Sequence, residues 1–208
     1  TQQSFFDYST VIFFREAFSM ADAVYYGSIS HTEKTILTLF KTQYYSYEKP
    51  RIIIRLCIGF GMVLLAATAS LPIWLKGILL LIGAWLLVSK DFPSQIRADK
   101  TLQNRNGVLP EMSYEFYETG MHLSGEGSMD IPYEKLNRLV EDEAFLYLFL
   151  QKDSVCMIDR KTIKPQPSEQ FMEFISGKTG LSWRKEKSLL SMNLSDFIQL
   201  FQRSDKKQ

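Results

Sequence analysis

The sequence is poor in the residues from which reaction centres are built. Its 208 residues hold two histidines, His31 and His122, and two cysteines, Cys57 and Cys156. Neither histidine has a second histidine or cysteine within five residues, and no HExxH, paired CxxC, Walker loop or GxSxG is present. Without those spacings, zincin, zinc-ribbon, phosphate-loop and nucleophile-elbow chemistry have no local scaffold. The chain is therefore read as non-enzymatic, with no cofactor and no metal. Two cysteines are too few for a disulfide framework and suit a reducing compartment. A net charge of +1 gives no bulk electrostatic attraction to nucleic acid. No basic segment followed by an apolar one opens the chain, so a cleaved signal peptide is not expected.

Long charge-free apolar runs, by contrast, are abundant in one place. Ile52 to Ser89 reads IIIRLCIGFGMVLLAATASLPIWLKGILLLIGAWLLVS, with only Arg55 and Lys76 charged. A span needs about 20 apolar residues at about 1.5 Å rise each, so this stretch is long enough for two. It divides at Ser70-Leu71-Pro72, and proline at a helix start loses no hydrogen bond. A transmembrane hairpin over residues 51–90 follows; a buried apolar hairpin in a soluble domain is the alternative, and it seldom has two consecutive helices that are apolar all round. Trp74 and Trp85 stand where interfacial aromatics are expected. Lys34, Lys41, Lys49, Arg51 and Arg55 precede or enter the hairpin, and Lys90, Arg97, Lys100 and Arg105 follow it, against Lys76 at the tip. The positive-inside tendency then places both flanks, and both termini, in the cytoplasm. Gly59, Gly61, Ala66 and Ser70 make a small-residue face for helix packing, with self-association as the sharper reading.

Residues 1–50 form an N-terminal segment. Val11–Phe14 reads as a strand, and Thr32-Glu33 opens a helix with Ile36, Phe40, Tyr44 and Tyr47 roughly on one face. That face packs on the protein's own cytoplasmic domain or lies at the membrane interface. Residues 91–110 read as a polar helical stalk ended by Asn106-Gly107 and Pro110. From Met112 the period changes to two. MSYEFYET, MHLSGE, SMDIPY, KLNRLVED, AFLYLFLQ and SVCMIDR read as six antiparallel strands, separated by turns such as Thr119-Gly120 and Gly125-Glu126-Gly127. A helix follows from Pro167, with Phe171, Phe174 and Ile175 on one face and Gly177 and Gly180 as its stop. The expected fold class is α+β: a membrane hairpin plus, over residues 111–182, a small antiparallel PH-like β-barrel capped by a C-terminal helix. In residues 183–208, Leu190, Leu194, Phe197, Ile198 and Phe201 share a helical face that contacts a partner or membrane, or folds back on the chain. Glu141, Asp142 and Glu143 read as a solvated turn, and Arg160, Lys161 and Lys164 as a basic edge.

Hairpin, polar stalk and then YEFYETGMHLSGEGSMDIPYEKLNRLVEDEAFLYLFLQKDSVCMIDRKTI together resemble the bacterial YcxB-like proteins. The resemblance is carried by Thr119-Gly120, by Ile131-Pro132-Tyr133 with Leu136, and by Ile158-Asp159-Arg160-Lys161, and covers about residues 50–180. It implies a two-helix anchor in the bacterial inner membrane, a cytoplasmic PH-like domain, and no established activity. Two functional classes follow. One is a membrane-anchored interaction module holding a protein partner, or a second copy, at the inner face. The other is an immunity protein that blocks a membrane-active toxin or bacteriocin, in which Arg55, Lys76 and the small-residue face matter most.

Overall fold

The computed structural model describes residues 22–105 and 108–185, so Val11–Phe14 and the tail face at Leu190, Leu194, Phe197, Ile198 and Phe201 lie outside the described residues. The chain divides into two compact units, one from residues up to 31 and from 109 onward to 185, the other from residues 32–108.

The second unit is helical. Helix α1 (Glu33–Tyr47) starts with a reciprocal cap: the Thr32 hydroxyl accepts from the Thr35 N–H at 3.2 Å, and the Thr35 hydroxyl accepts from the Thr32 N–H at 2.7 Å. Helix α2 (Lys49–Thr68) carries Pro50 in its first turn, where no N–H is missed. Its 20 residues reach about 30 Å, the thickness of a bilayer's hydrocarbon core. The chain breaks at Ala69, which is extended, and Pro72 starts α3 (Ile73–Val88). A 3₁₀ turn at Ser89–Asp91 leads directly into α4 (Phe92–Asn104). Both α2 and the run continuing from α3 are long and apolar enough to cross a membrane.

The hairpin seam closes tightly at Gly59 and Gly83. A Cβ on Gly83 would stand 2.9 Å from the Gly59 carbonyl oxygen, and one on Gly59 would stand 3.0 Å from Leu87. Gly59, Gly83 and Ala66 are buried. Gly61 and Ser70 are exposed, and nothing lies within 4 Å of a Cβ built on Gly61. The physical reason is helical phase: residues two apart point to different sides, so Gly59 and Gly61 cannot share a seam.

The first unit holds the sheets. β1 (Tyr25–Ser30), β2 (Glu111–Phe116), β3 (Gly120–Ser124) and β4 (Ser128–Pro132) make one sheet in that order. β7 (Ser154–Asp159), β6 (Phe145–Gln151), β5 (Arg138–Glu141) and β8 (Trp183–Lys185) make the other. All neighbours are antiparallel except β5 and β8. β1 lies before the hairpin and its partner β2 after it, with six residue pairs from Tyr25↔Phe116 to Ser30↔Glu111. The second unit is thus inserted, in sequence, between two adjacent strands of one sheet. Likewise β8 extends the second sheet past residue 182.

The expected closed barrel does not form; both sheets are open. The chain leaves β4 at Pro132, which has no N–H to continue a ladder, and turns through a 3₁₀ helix at Tyr133–Lys135 before β5. Beyond β1, pairing is limited to the isolated bridge Tyr26↔Lys164. There the Thr162 hydroxyl replaces a strand, accepting from the Ser28 N–H at 2.9 Å and donating to the Ser28 carbonyl at 2.8 Å.

Helix α5 (Ser168–Thr179) ends at Gly180, whose φ of 68° is the left-handed cap glycine favours. Gly177 remains inside the helix. The ring of Phe171 stands edge-on to Phe116 at 4.7 Å and to Tyr25 at 5.4 Å, so α5 seals the core between β1 and β2. Four consecutive residues of β6, Leu146–Phe149, are buried, as a strand covered on both faces requires.

Candidate functional site

Two polar clusters stand out, one in each unit. In the helical unit, Glu48 occupies the joint between α1 and α2. Its side chain is only 6% exposed, and it accepts from Arg51 Nη1 at 2.9 Å and from Arg97 Nη2 of α4 at 3.0 Å. Asp91, in the 3₁₀ turn, accepts from the Tyr45 hydroxyl and pairs with Lys41 at 3.6 Å. Two carboxylates therefore bind α1, α2 and α4 together where the apolar hairpin begins and ends. Such charges are worth burying only when paired. Beneath them Tyr44, Tyr45 and Ile52 form a small apolar core with Leu56 against it. Burial pushes the Tyr44 phenol above its ordinary value, and the positive charge of Arg55 opposes that shift.

Arg55 lies in the same unit. Its Nη2 donates to Ser89 Oγ at 2.7 Å, and its guanidinium stands 5.6 Å from the centre of the Trp85 ring. Ser89 Oγ in turn donates to the Trp85 carbonyl at 2.6 Å.

In the sheet unit, one row of ionisable side chains crosses the outward face of the first sheet in register: Tyr26, Glu115, His122 and Asp130. His122 Nδ1 is 2.5 Å from Asp130 Oδ1, and its Nε2 is 3.2 Å from Ser128 Oγ. The atoms follow the order of a serine–histidine–aspartate relay. The ladder accounts for that order without chemistry. His122 and Asp130 are directly opposed, and Ser128 is the diagonal neighbour, two residues along its strand. Glu115 accepts from the Tyr117 hydroxyl at 2.6 Å, and that bond, more than burial, pushes the Tyr117 phenol up to about 12.

Asp142 and Arg160, from the two charge clusters read in sequence, are tied into the fold. Asp142 is not merely a solvated turn residue. Oδ1 accepts from the N–H groups of Ala144 at 2.7 Å and Phe145 at 2.6 Å, and Oδ2 from the Tyr147 hydroxyl at 2.7 Å. Arg160 does not present a basic edge. It donates to the Asp142 carbonyl at 3.0 Å and to Glu169 at 3.2 Å, and it lies 3.5 Å from Glu141, joining β5, β7 and α5. Cys156 is buried, which pushes its thiol up to about 12 and makes it a poor nucleophile. Among the described residues no group of three or more His, Cys, Asp or Glu side chains is placed to hold a metal.

Residues missed in sequence are Glu48, Ser89, Asp91 and Gly83. Each has a partner remote in sequence. Only Gly83 carried a local signal, a small residue inside an apolar helix.

No curated protein matches this chain. The family model of the YcxB-like proteins matches residues 116–175, from the last residue of β2 into α5. That stretch holds β3 to β7 and the turns at Thr119-Gly120 and Ile131-Pro132-Tyr133, and it excludes the hairpin. Over residues 116–175 the chain is therefore similar to the YcxB-like proteins.

Proposed function

We propose that this protein is a non-enzymatic, membrane-anchored interaction module that holds a protein partner at the cytoplasmic face of a bacterial membrane. The observation that carries the reading is the β1–β2 ladder formed across the hairpin. A sheet unit completed by strands on both sides of an apolar hairpin is joined to that hairpin by two chain connections, which suits an anchored platform. Exposed aliphatic and aromatic side chains along α2 and α3, among them Phe60, Leu64, Leu81 and Trp74, support insertion in lipid. Basic residues on both flanks support cytoplasmic termini. The two open sheets and α5 are read as a PH-like unit in which the helix replaces barrel closure.

The non-enzymatic part rests on how the ionisable groups are used. Glu48, Asp142 and Arg160 each join elements of the fold, and the His122 row is a set of cross-strand pairs. That row, with half-exposed Tyr26 and exposed Ser128 on the same face, is the surface we assign to the partner. The test is a photocrosslinking residue placed at Tyr26 or Ser128 in the full chain in its native membrane. A single stoichiometric protein adduct, absent when the crosslinker replaces the exposed Glu134, supports the platform. Adducts of equal yield at all three positions would refute it.

A further inference from the structure

Where α3 passes through the 3₁₀ turn into α4, a groove of about 470 Å³ is lined by Trp85, Val88, Ser89, Asp91, Phe92 and Gln95. The Asp91 carboxylate is the charged group in that lining; no Lys or Arg belongs to it. Trp85, Val88 and Phe92 are all exposed, so an apolar wall stands beside a polar one of Ser89, Asp91 and Gln95. Exposed apolar surface rimmed by polar groups marks a ligand or membrane contact. Asp91 keeps accepting capacity there. An ionised carboxylate offers about four lone-pair positions. The Tyr45 hydroxyl takes one on Oδ1, and Lys41 stands 3.6 Å from Oδ2, beyond hydrogen-bond length. Gln95, which is exposed, carries an amide oxygen that can accept as well.

A carboxylate, an amide oxygen and two aromatic rings suit a primary ammonium. Its N–H groups donate to the oxygens, and its charge is attracted by the carboxylate and by the ring faces. An anion would meet the Asp91 charge, and a purely apolar ligand would cover that charge without pairing it. A quaternary ammonium has no N–H to give Asp91 or Gln95. A free amine carries net positive charge, which Lys41 beside Asp91 and Arg55, 5.6 Å from the centre of the Trp85 ring, both repel. A zwitterion escapes that repulsion, because its phosphate cancels its ammonium. We infer that the groove binds the headgroup of phosphatidylethanolamine, its ammonium on Asp91 and Gln95 and its acyl chains along the apolar wall of Trp85 and Val88. The inference rests on the proposed reading of the hairpin as membrane-spanning.

The test uses the full chain in vesicles, with Trp74→Phe and Trp183→Phe leaving Trp85 as the fluorophore. Phosphatidylethanolamine, its N-methylated forms, phosphatidylcholine and phosphatidylglycerol, each with brominated acyl chains, are titrated against unbrominated phosphatidylcholine. Half-maximal quenching is expected at a mole fraction about five-fold lower for phosphatidylethanolamine than for phosphatidylcholine, the fold-change one net hydrogen bond contributes. The difference should shrink with each N-methyl group, a series that leaves the protein unaltered. Asp91→Asn should equalise the two lipids, Gln95→Ala should keep part of the preference, and Lys76→Gln at the hairpin tip should keep all of it. Excess free phosphoethanolamine should leave the preference intact; its loss would assign the site to a soluble amine and overturn the lipid. Equal quenching across the methylated series, a lower midpoint for phosphatidylglycerol, or a preference that survives Asp91→Asn overturns the site while leaving the anchor in place. No quenching by any lipid overturns the membrane reading and the site with it.

Discussion

Gly27 offers a direct check on the pairing of strands across the hairpin. It lies in β1, before the hairpin, and a Cβ built on it would stand 2.8 Å from Cγ2 of Ile158 in β7, well inside ordinary van der Waals contact. Phe116 and Ile163 are the next neighbours, both at 3.9 Å, so Ile158 alone makes the clash. Overpacking a well-filled core costs about 1–3 kcal/mol. Alanine in a strand recovers about 0.5–1 kcal/mol relative to glycine. Gly27→Ala should therefore destabilise the sheet unit by up to about 2.5 kcal/mol. Ile158→Ala, which removes the clashing methyl from a fully buried side chain, should cost about 2–5 kcal/mol by itself. If the two residues touch, the double variant will lose less than the sum, by about 1 kcal/mol or more. The measurement is urea unfolding of the full chain in detergent, followed by Trp183 fluorescence in a Trp74→Phe/Trp85→Phe background. Trp183 is a suitable reporter because its Nε1 donates to the Met172 carbonyl of α5 at 2.8 Å. Strict additivity would refute the packing of β1 on β7.

Cys156, Glu48 and Gly83 carry four further outcomes. With its thiol pushed from an ordinary value near 9 to about 12, Cys156 should react with maleimide at pH 8 about a thousand-fold more slowly in the folded chain than after unfolding, and equal rates would refute its burial. Because that folded value is raised, the neutral thiol's contribution to stability is complete below pH 9 and falls away as pH rises from about 9 through about 12; alkaline unfolding of Cys156→Ser should lose this component of the pH dependence. Glu48→Ala leaves Arg51 and Arg97 unpaired, but both are exposed enough to hydrate, so the cost should be about 1–3 kcal/mol rather than the full loss of a buried pair, seen as faster hydrogen exchange in α1 and α4. Gly83→Val should force α2 and α3 apart, and cysteines placed at Val63 and Leu87, which meet Gly83 and Gly59 across the seam, should then crosslink less than in the parent hairpin; unchanged crosslinking would place the crossing elsewhere.

Much of this protein was written locally. The apolar run and the break at Ser70–Pro72 specified the hairpin. Alternation and glycine turns specified β2 to β7, and Gly180 the end of α5. These are legible because helical period, strand period and turn chemistry are properties of neighbouring residues. YYGSIS gave no comparable signal, since glycine and two serines weaken the pattern; β1 is specified by its ladder with β2 and by the fit of Gly27 under Ile158. Sheet closure was equally invisible, because a hydroxyl at Thr162 and a missing N–H at Pro132 decide it where distant segments meet. The same holds for Glu48, Asp91 and Arg55. Sequence alone determined the helices, the strands β2 to β7 and the apolar spans, because those depend on local periodicity. Only the tertiary structure decided that two strands join across a hairpin and that Glu48 meets Arg97, because such pairing depends on residues remote in the chain.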